Sequence, residues 1–147
     1  MSILDAFQNA EFRNKILVLA TLIKLSLVDG VIDESEMKIL KAIANKYGLN
    51  KPEQLKYIIK NHEKYHLEPT YNYDERIEQL YDLSKVVYAD RYIHEKEEKM
   101  LKKIIIALGF PVKNVDKIFD KVIELILKES FISIFNGYLL CVKDKFE

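Results

Sequence analysis

A single cysteine, Cys141, occurs in the 147 residues. No intrachain disulfide can form, nothing calls for an oxidising compartment, and the expected location is cytoplasmic. Proline and glycine are scarce, at three and four residues, which leaves little material for the many tight turns of an all-β fold. Arginine is rare (Arg13, Arg76, Arg91), and Lys plus Arg balance Asp plus Glu at 23 each. With zero formal charge and no long basic stripe, a nucleic-acid partner is not expected. Long apolar runs are missing as well. Ile16 to Val28 is interrupted by Thr21, Lys24 and Ser26, and Phe131 to Val142 is equally too short to span a bilayer. The opening Met1-Ser2-Ile3-Leu4-Asp5 has no basic region before an apolar run, so no signal peptide is expected.

What the chain does contain is a repeat. Asp29-Gly30-Val31-Ile32-Asp33-Glu34-Ser35-Glu36 aligns without a gap on Asp90-Arg91-Tyr92-Ile93-His94-Glu95-Lys96-Glu97, at an offset of 61 residues. Asp, Ile, Glu and Glu recur in register at 29/90, 32/93, 34/95 and 36/97. The match runs on through Leu40/Leu101, Ile43/Ile104 and Gly48/Gly109, and upstream through Ile16/Ile77, Leu19/Leu80 and Leu22/Leu83. A repeat of this length denotes a duplicated supersecondary unit.

Within the repeats the apolar spacing is helical. Ile16, Leu19, Ala20, Ile23 and Leu27 share one face, and so do Met37, Leu40, Ile43 and Ala44. Gly48 suits a left-handed helix cap and Pro52 the first turn of the next helix. That helix is expected to run from Pro52 to about His66. Later helices are expected near 74–89, 95–108, 114–127 and 130–142. The expected fold is all-α, one domain over 1–147, with seven to eight helices in two pseudo-twofold-related repeats (about 16–49 and 77–110). Neither half has enough apolar face to stand by itself.

The repeated turns are rich in groups that hold cations. The first offers Asp29, Asp33 and Glu36, the second Asp90, His94 and Glu97. Carboxylate oxygens suit calcium or magnesium, whereas His94 moves the preference toward zinc, manganese or iron. The candidate cofactor is a divalent metal, calcium or zinc. The same residues also serve helix starts. Asp33 with Glu36 three positions on is a capping box, His94 and Glu97 occupy the same two positions, and acids at a helix N-terminus complement its dipole. Asp29 and Asp90 are different, because they follow a helix end where negative charge opposes the dipole. They call for a positive partner, a lysine or a metal. The loop is not an EF-hand, whose sixth and twelfth positions need Gly and Glu; counted from Asp29 these are Glu34 and Leu40.

Leu27-Val28-Asp29-Gly30-Val31-Ile32-Asp33-Glu34-Ser35-Glu36 and Tyr88-Ala89-Asp90-Arg91-Tyr92-Ile93-His94-Glu95-Lys96-Glu97 resemble the TerB-like family, named for the bacterial tellurite-resistance protein. The family pattern, roughly Ala-Asp-Gly followed by an aliphatic residue and spaced acids, departs here at Val28, Arg91 and His94. The resemblance covers about Ile16 to Phe110. It implies an all-helical domain with an acidic, metal-binding cleft, a role in tellurite and chemical stress responses, and no enzymatic activity. Related domains accompany J-domain co-chaperones, which makes a ligand-free protein-interaction module the alternative, with a protein partner or a second copy of the chain.

His62-Glu63-Lys64-Tyr65-His66 matches H-E-x-x-H, which on a helix presents two zinc ligands and a general base. Against a zinc peptidase stand the charge of Lys64, the nearby Pro69 and the lack of any strand to bind a substrate. A solvated helix end is the simpler reading, with incidental zinc at His62 and His66 as a subsidiary one. Tyr65, Tyr71, Tyr73, Tyr81, Tyr88 and Tyr92 gather around the central connection; they read as core-edge residues with their hydroxyls in water.

Overall fold

A computed structural model describes residues 9–28, 30–65, 68–88 and 95–132. Among these residues the chain is helical, with six α-helices, two short 3-10 turns and no strand. In order they are α1 (Ala10–Val28), α2 (Glu34–Lys46), α3 (Pro52–Lys60), α4 (Tyr73–Val87), α5 (Glu95–Ala107) and α6 (Val115–Ile132). By its contacts the chain divides between Tyr71 and Asn72 into two compact units.

In the first unit α1 is the central helix. It starts on Asn9, whose Oδ1 accepts from the backbone N–H groups of Glu11 (2.9 Å) and Phe12 (3.3 Å). Ile16 to Ala20, Leu22 and Ile23 are all buried. So many consecutive buried positions cover every side of the helix, the pattern of a helix enclosed by neighbours rather than lying on a surface. Those neighbours are α2, α3 and the 3-10 turn His62–Lys64. They contribute Leu40, Ile43, Ala44, Leu55 and Ile58 to the same core. Each fully buried aliphatic side chain contributes about 1.5–3 kcal/mol.

Two polar contacts tie the end of this unit back to α1. Lys24 Nζ donates to the carbonyl of Tyr65 at 2.7 Å. Buried Asn14 accepts at Oδ1 from the Thr70 backbone N–H (2.9 Å) and hydroxyl (3.3 Å). Helix α3 stops at Lys60, shorter than its expected extent to His66, because Asn61 caps it and donates from Nδ2 to the Tyr57 carbonyl at 2.8 Å.

In the second unit α4, α5 and α6 pack against one another. Ile77, Leu80, Leu83 and Val87 meet Leu101, Ile104, Ile105 and Leu108, with Val115, Phe119, Val122 and Leu125 from α6 closing the core. Asn72 and Glu75 form a reciprocal cap at the start of α4, through bonds of 2.9 and 3.0 Å. Helix α6 runs unbroken past Leu127 to Ile132, where the sequence suggested one helix ending and another starting at Ser130. The remainder of that expected last helix lies outside the described residues, so the described count is six helices, not seven or eight.

The repeat reappears in the backbone of each unit. Helices α2 and α5 are both 13 residues long and start and end at the same offset of 61. Their ends are closed alike. Leu49 N–H donates to Ala44 O (2.8 Å) and Gly48 N–H to Asn45 O (3.0 Å); Phe110 N–H donates to Ile105 O (3.3 Å) and Gly109 N–H to Ile106 O (3.0 Å). Both glycines have positive φ, +87° and +99°, the left-handed cap that the sequence indicated at Gly48.

Candidate functional site

The first acidic turn joins α1 to α2. Its backbone reverses at Gly30, where φ is +123° and the N–H donates to Leu27 O at 3.0 Å. Nothing lies within 4 Å of where a Cβ would stand, so backbone conformation and not space calls for glycine here. Val28 and Val31 on either side are 81% and 87% exposed, an apolar pair left in solvent beside the acids.

Asp33 and Glu36 form the complete capping box read from the sequence. Asp33 Oδ1 accepts from Glu36 N–H at 2.8 Å and from Ser35 Oγ at 2.8 Å. Glu36 Oε1 accepts from Asp33 N–H at 3.3 Å. One oxygen of each carboxylate therefore serves the helix start. Asp29, the third candidate of this turn, lies outside the described residues and immediately follows Val28, the last residue of α1.

In the second turn Asp90 and His94 also lie outside the described residues, and Glu97 is described. Glu97 sits in the first turn of α5 with Glu95 and Glu98. It is half-buried, and its Oε2 is shut off from solvent. Beside it is Tyr88, the residue that ends α4, buried to 3% exposure. The Tyr88 hydroxyl is buried and makes no hydrogen bond among the described residues. Its pKa is raised, first by burial and then by the negative charges of Glu97 and Glu98. The sequence placed the tyrosine hydroxyls in water; at Tyr88 the reverse holds. The repeat itself gave no hint of this, because the equivalent residue in the first half is Leu27.

Among the described residues no three His, Cys, Asp or Glu side chains converge as a metal site. Asp33 and Glu36 are brought together, Glu97 is placed at the equivalent start of α5, and Asp29, Asp90 and His94 are not described. The H-E-x-x-H segment loses the helix its chemistry needs. His62 and Glu63 lie in a 3-10 turn, Tyr65 leaves helical geometry at φ −101°, ψ 83°, and His66 is outside the described residues. His62 Nδ1 is 2.7 Å from Ile59 O, which makes that nitrogen a donor to its own helix end.

Among the described residues the chain is an all-α protein in which α2 and α5 both carry acids in the first turn. The chain belongs to the TerB family: residues 15–119 match the family described as Tellurite resistance protein TerB. The matched span covers most of the first compact unit and extends into the second. No curated protein and no solved structure matches the chain. Among the described residues no helix is long and apolar enough to cross a membrane.

Proposed function

We propose that this chain is a non-catalytic TerB domain acting in a cytoplasmic stress response of the tellurite-resistance kind, and that it binds a divalent cation through its two acidic turns. The observation that carries this reading is the recurrence of Asp at 29 and 90, each following the end of a helix (Val28 of α1, Val87 of α4). A carboxylate there opposes the helix dipole, so a helix-capping role does not account for it. The residues that would hold the ion are Asp29, Asp33, Glu36, Asp90, His94 and Glu97. A donor set of carboxylate oxygens fits calcium, and His94 admits zinc. The capping bonds at Asp33 and Glu36 go to Oδ1 and Oε1. The pseudo-twofold relation of the repeats and the single domain over 1–147 are part of this reading.

Calorimetric titration of the full chain with calcium, zinc and manganese tests it. Stoichiometric binding that is abolished in the Asp29→Ala/Asp90→Ala double variant is the expected result. Absence of binding to all three ions, or binding unchanged in the double variant, overturns it.

A second reading rests on the completed capping box. It takes the acids as structural and the domain as a ligand-free interaction module, engaging a protein partner or a second copy of itself. Thermal unfolding indifferent to chelator and to added metal is its signature.

A further inference from the structure

A second feature lies away from the acidic turns. Between α2 and α3, and wholly within the first unit, is an open groove of about 440 Å³. Its floor is aliphatic: Met37, Ala44, Leu49, Leu55 and Ile59. Its rim carries three cations, Lys41, Lys51 and Lys56, and the neutral Asn45 and Asn50. No carboxylate lines it, although acids equal bases over the whole chain. The three lysines are exposed, and among the described residues none of them has an ion-pair partner. Unneutralised like charges around an apolar floor are unfavourable by themselves and complementary to an anionic amphiphile.

The start of α3 opens on the same groove. Helices α1, α2 and α4 begin on side-chain oxygens of Asn9, Asp33 and Asn72. Helix α3 begins on Lys51, which makes no side-chain cap; the Gln54 N–H donates instead to the Lys51 carbonyl at 3.0 Å. Gln54 Oε1 accepts from Lys51 N–H at 3.1 Å, so only the return half of a cap is made. Glu53, the acid of this first turn, is exposed and does not line the groove. A cation at the positive end of a helix is unfavourable by itself and complementary to an incoming carboxylate.

We propose that the α2–α3 groove docks an acidic amphipathic helix of a protein partner, with aliphatic side chains on the floor and carboxylates at Lys41, Lys51 and Lys56. Three separated cations exceed what the single carboxylate of a fatty acid can neutralise. The floor has no aromatic ring on which a nucleobase could stack. Aliphatic anchors at helical spacing with flanking acids are the pattern that fits such a groove. The second unit has a groove of about 500 Å³ with Arg76, Lys117 and Lys121 on its rim and again no carboxylate. There Arg76 Nη1 is already engaged with Gly109 O at 3.4 Å, and Lys121 also has an interaction of its own. The α2–α3 groove is therefore the docking site.

The probe is a fluorescein-labelled synthetic helix with Leu at i, i+4 and i+7 and Glu on both flanks, titrated into the full chain in chelator and followed by anisotropy. Saturable binding that weakens with salt and drops about tenfold or more in Lys51→Glu/Lys56→Glu is expected. Lys117→Glu, in the other groove, should bind like the parent. The altered lysines are exposed, and circular dichroism checks that both variants stay folded. Absence of binding, binding unchanged in the double variant, loss confined to Lys117→Glu, or displacement of the peptide by stoichiometric oleate would each overturn the proposal. Because chelator is present throughout, these outcomes are separate from those of the metal titration.

Discussion

Asp33 and Glu36 hold each other's backbone: each carboxylate accepts from the other residue's N–H, at 2.8 and 3.3 Å. Asp33→Ala removes the acceptor for Glu36 N–H and the partner of Ser35 Oγ. It should cost about 0.5–2 kcal/mol, read as a lower urea midpoint with an unchanged slope. If Asp33 also ligates a metal, its loss lowers the midpoint further when metal is present. An equal loss with and without chelator assigns Asp33 to capping alone.

Gly48 and Gly109 end α2 and α5 with φ of +87° and +99°. A Cβ at Gly48 would meet nothing within 4 Å, and at Gly109 it would reach the Arg76 guanidinium only at 3.5 Å, an ordinary contact. Gly48→Ala and Gly109→Ala should therefore cost the same, about 1–2 kcal/mol each, from backbone conformation rather than collision. Chemical denaturation of the two single variants checks this; a much larger loss at one of them would point to crowding.

Tyr88 makes the fold sensitive to alkali. Its hydroxyl is buried beside Glu97 and Glu98, and its pKa is raised above that of the unfolded chain. The neutral phenol is the form the folded state tolerates. Its contribution is intact below the unfolded value of about 10 and is lost as pH rises through the higher folded value. Tyr88→Phe removes a buried hydroxyl that has no hydrogen bond among the described residues, so stability at pH 7 should hold or rise. The fall in melting temperature above about pH 10 should become shallower. Destabilisation of the Phe variant at neutral pH would show that the hydroxyl is needed.

Asn14 is a polar side chain in the packed part of α1, and both of its described bonds go to Thr70. Asn14→Ala should cost about 0.5–1.5 kcal/mol by removing the acceptor of the Thr70 N–H, which at this exposed residue water can replace. Thr70→Val removes only the longer hydroxyl bond and should cost less. Urea unfolding of the two variants ranks them.

Much of this was legible in the sequence because the code involved is local. The 61-residue register announced paired helices, and Ile16, Leu19 and Leu22 with Ile77, Leu80 and Leu83 are buried as the spacing indicated. The cap at Asp33 and the left-handed glycine at 48 follow from short-range rules. What escaped was long-range or lacked a marker. Asn14 and Thr70 are 56 residues apart, and no periodicity links them. Helix α3 stops at Lys60 without a glycine or proline, on a side-chain bond from Asn61, so His62 to Tyr65 looked α-helical when His62–Lys64 is a 3-10 turn. The burial of Tyr88 depends on how α4 and α5 pack, and its counterpart Leu27 is apolar. The α2–α3 groove escaped for a related reason: Lys41, Lys51 and Lys56 look like ordinary surface lysines until the backbone gathers them without an acid among them.

Helices α2 and α5 have equal lengths and the same glycine-closed ends, which makes them cassettes of one backbone geometry. Residues 34–49 and 95–110 match in length and leave the helix through the same backbone turn, but an exchange sets Lys46, exposed in α2, at the place of buried Ala107 and so also needs Lys46→Ala. What would travel with each cassette is its chemistry: Lys41 and the Met37–Leu49 floor with one, Glu97 against Tyr88 with the other. A chimera of this kind separates the helix geometry the two units share from the surface in which they differ.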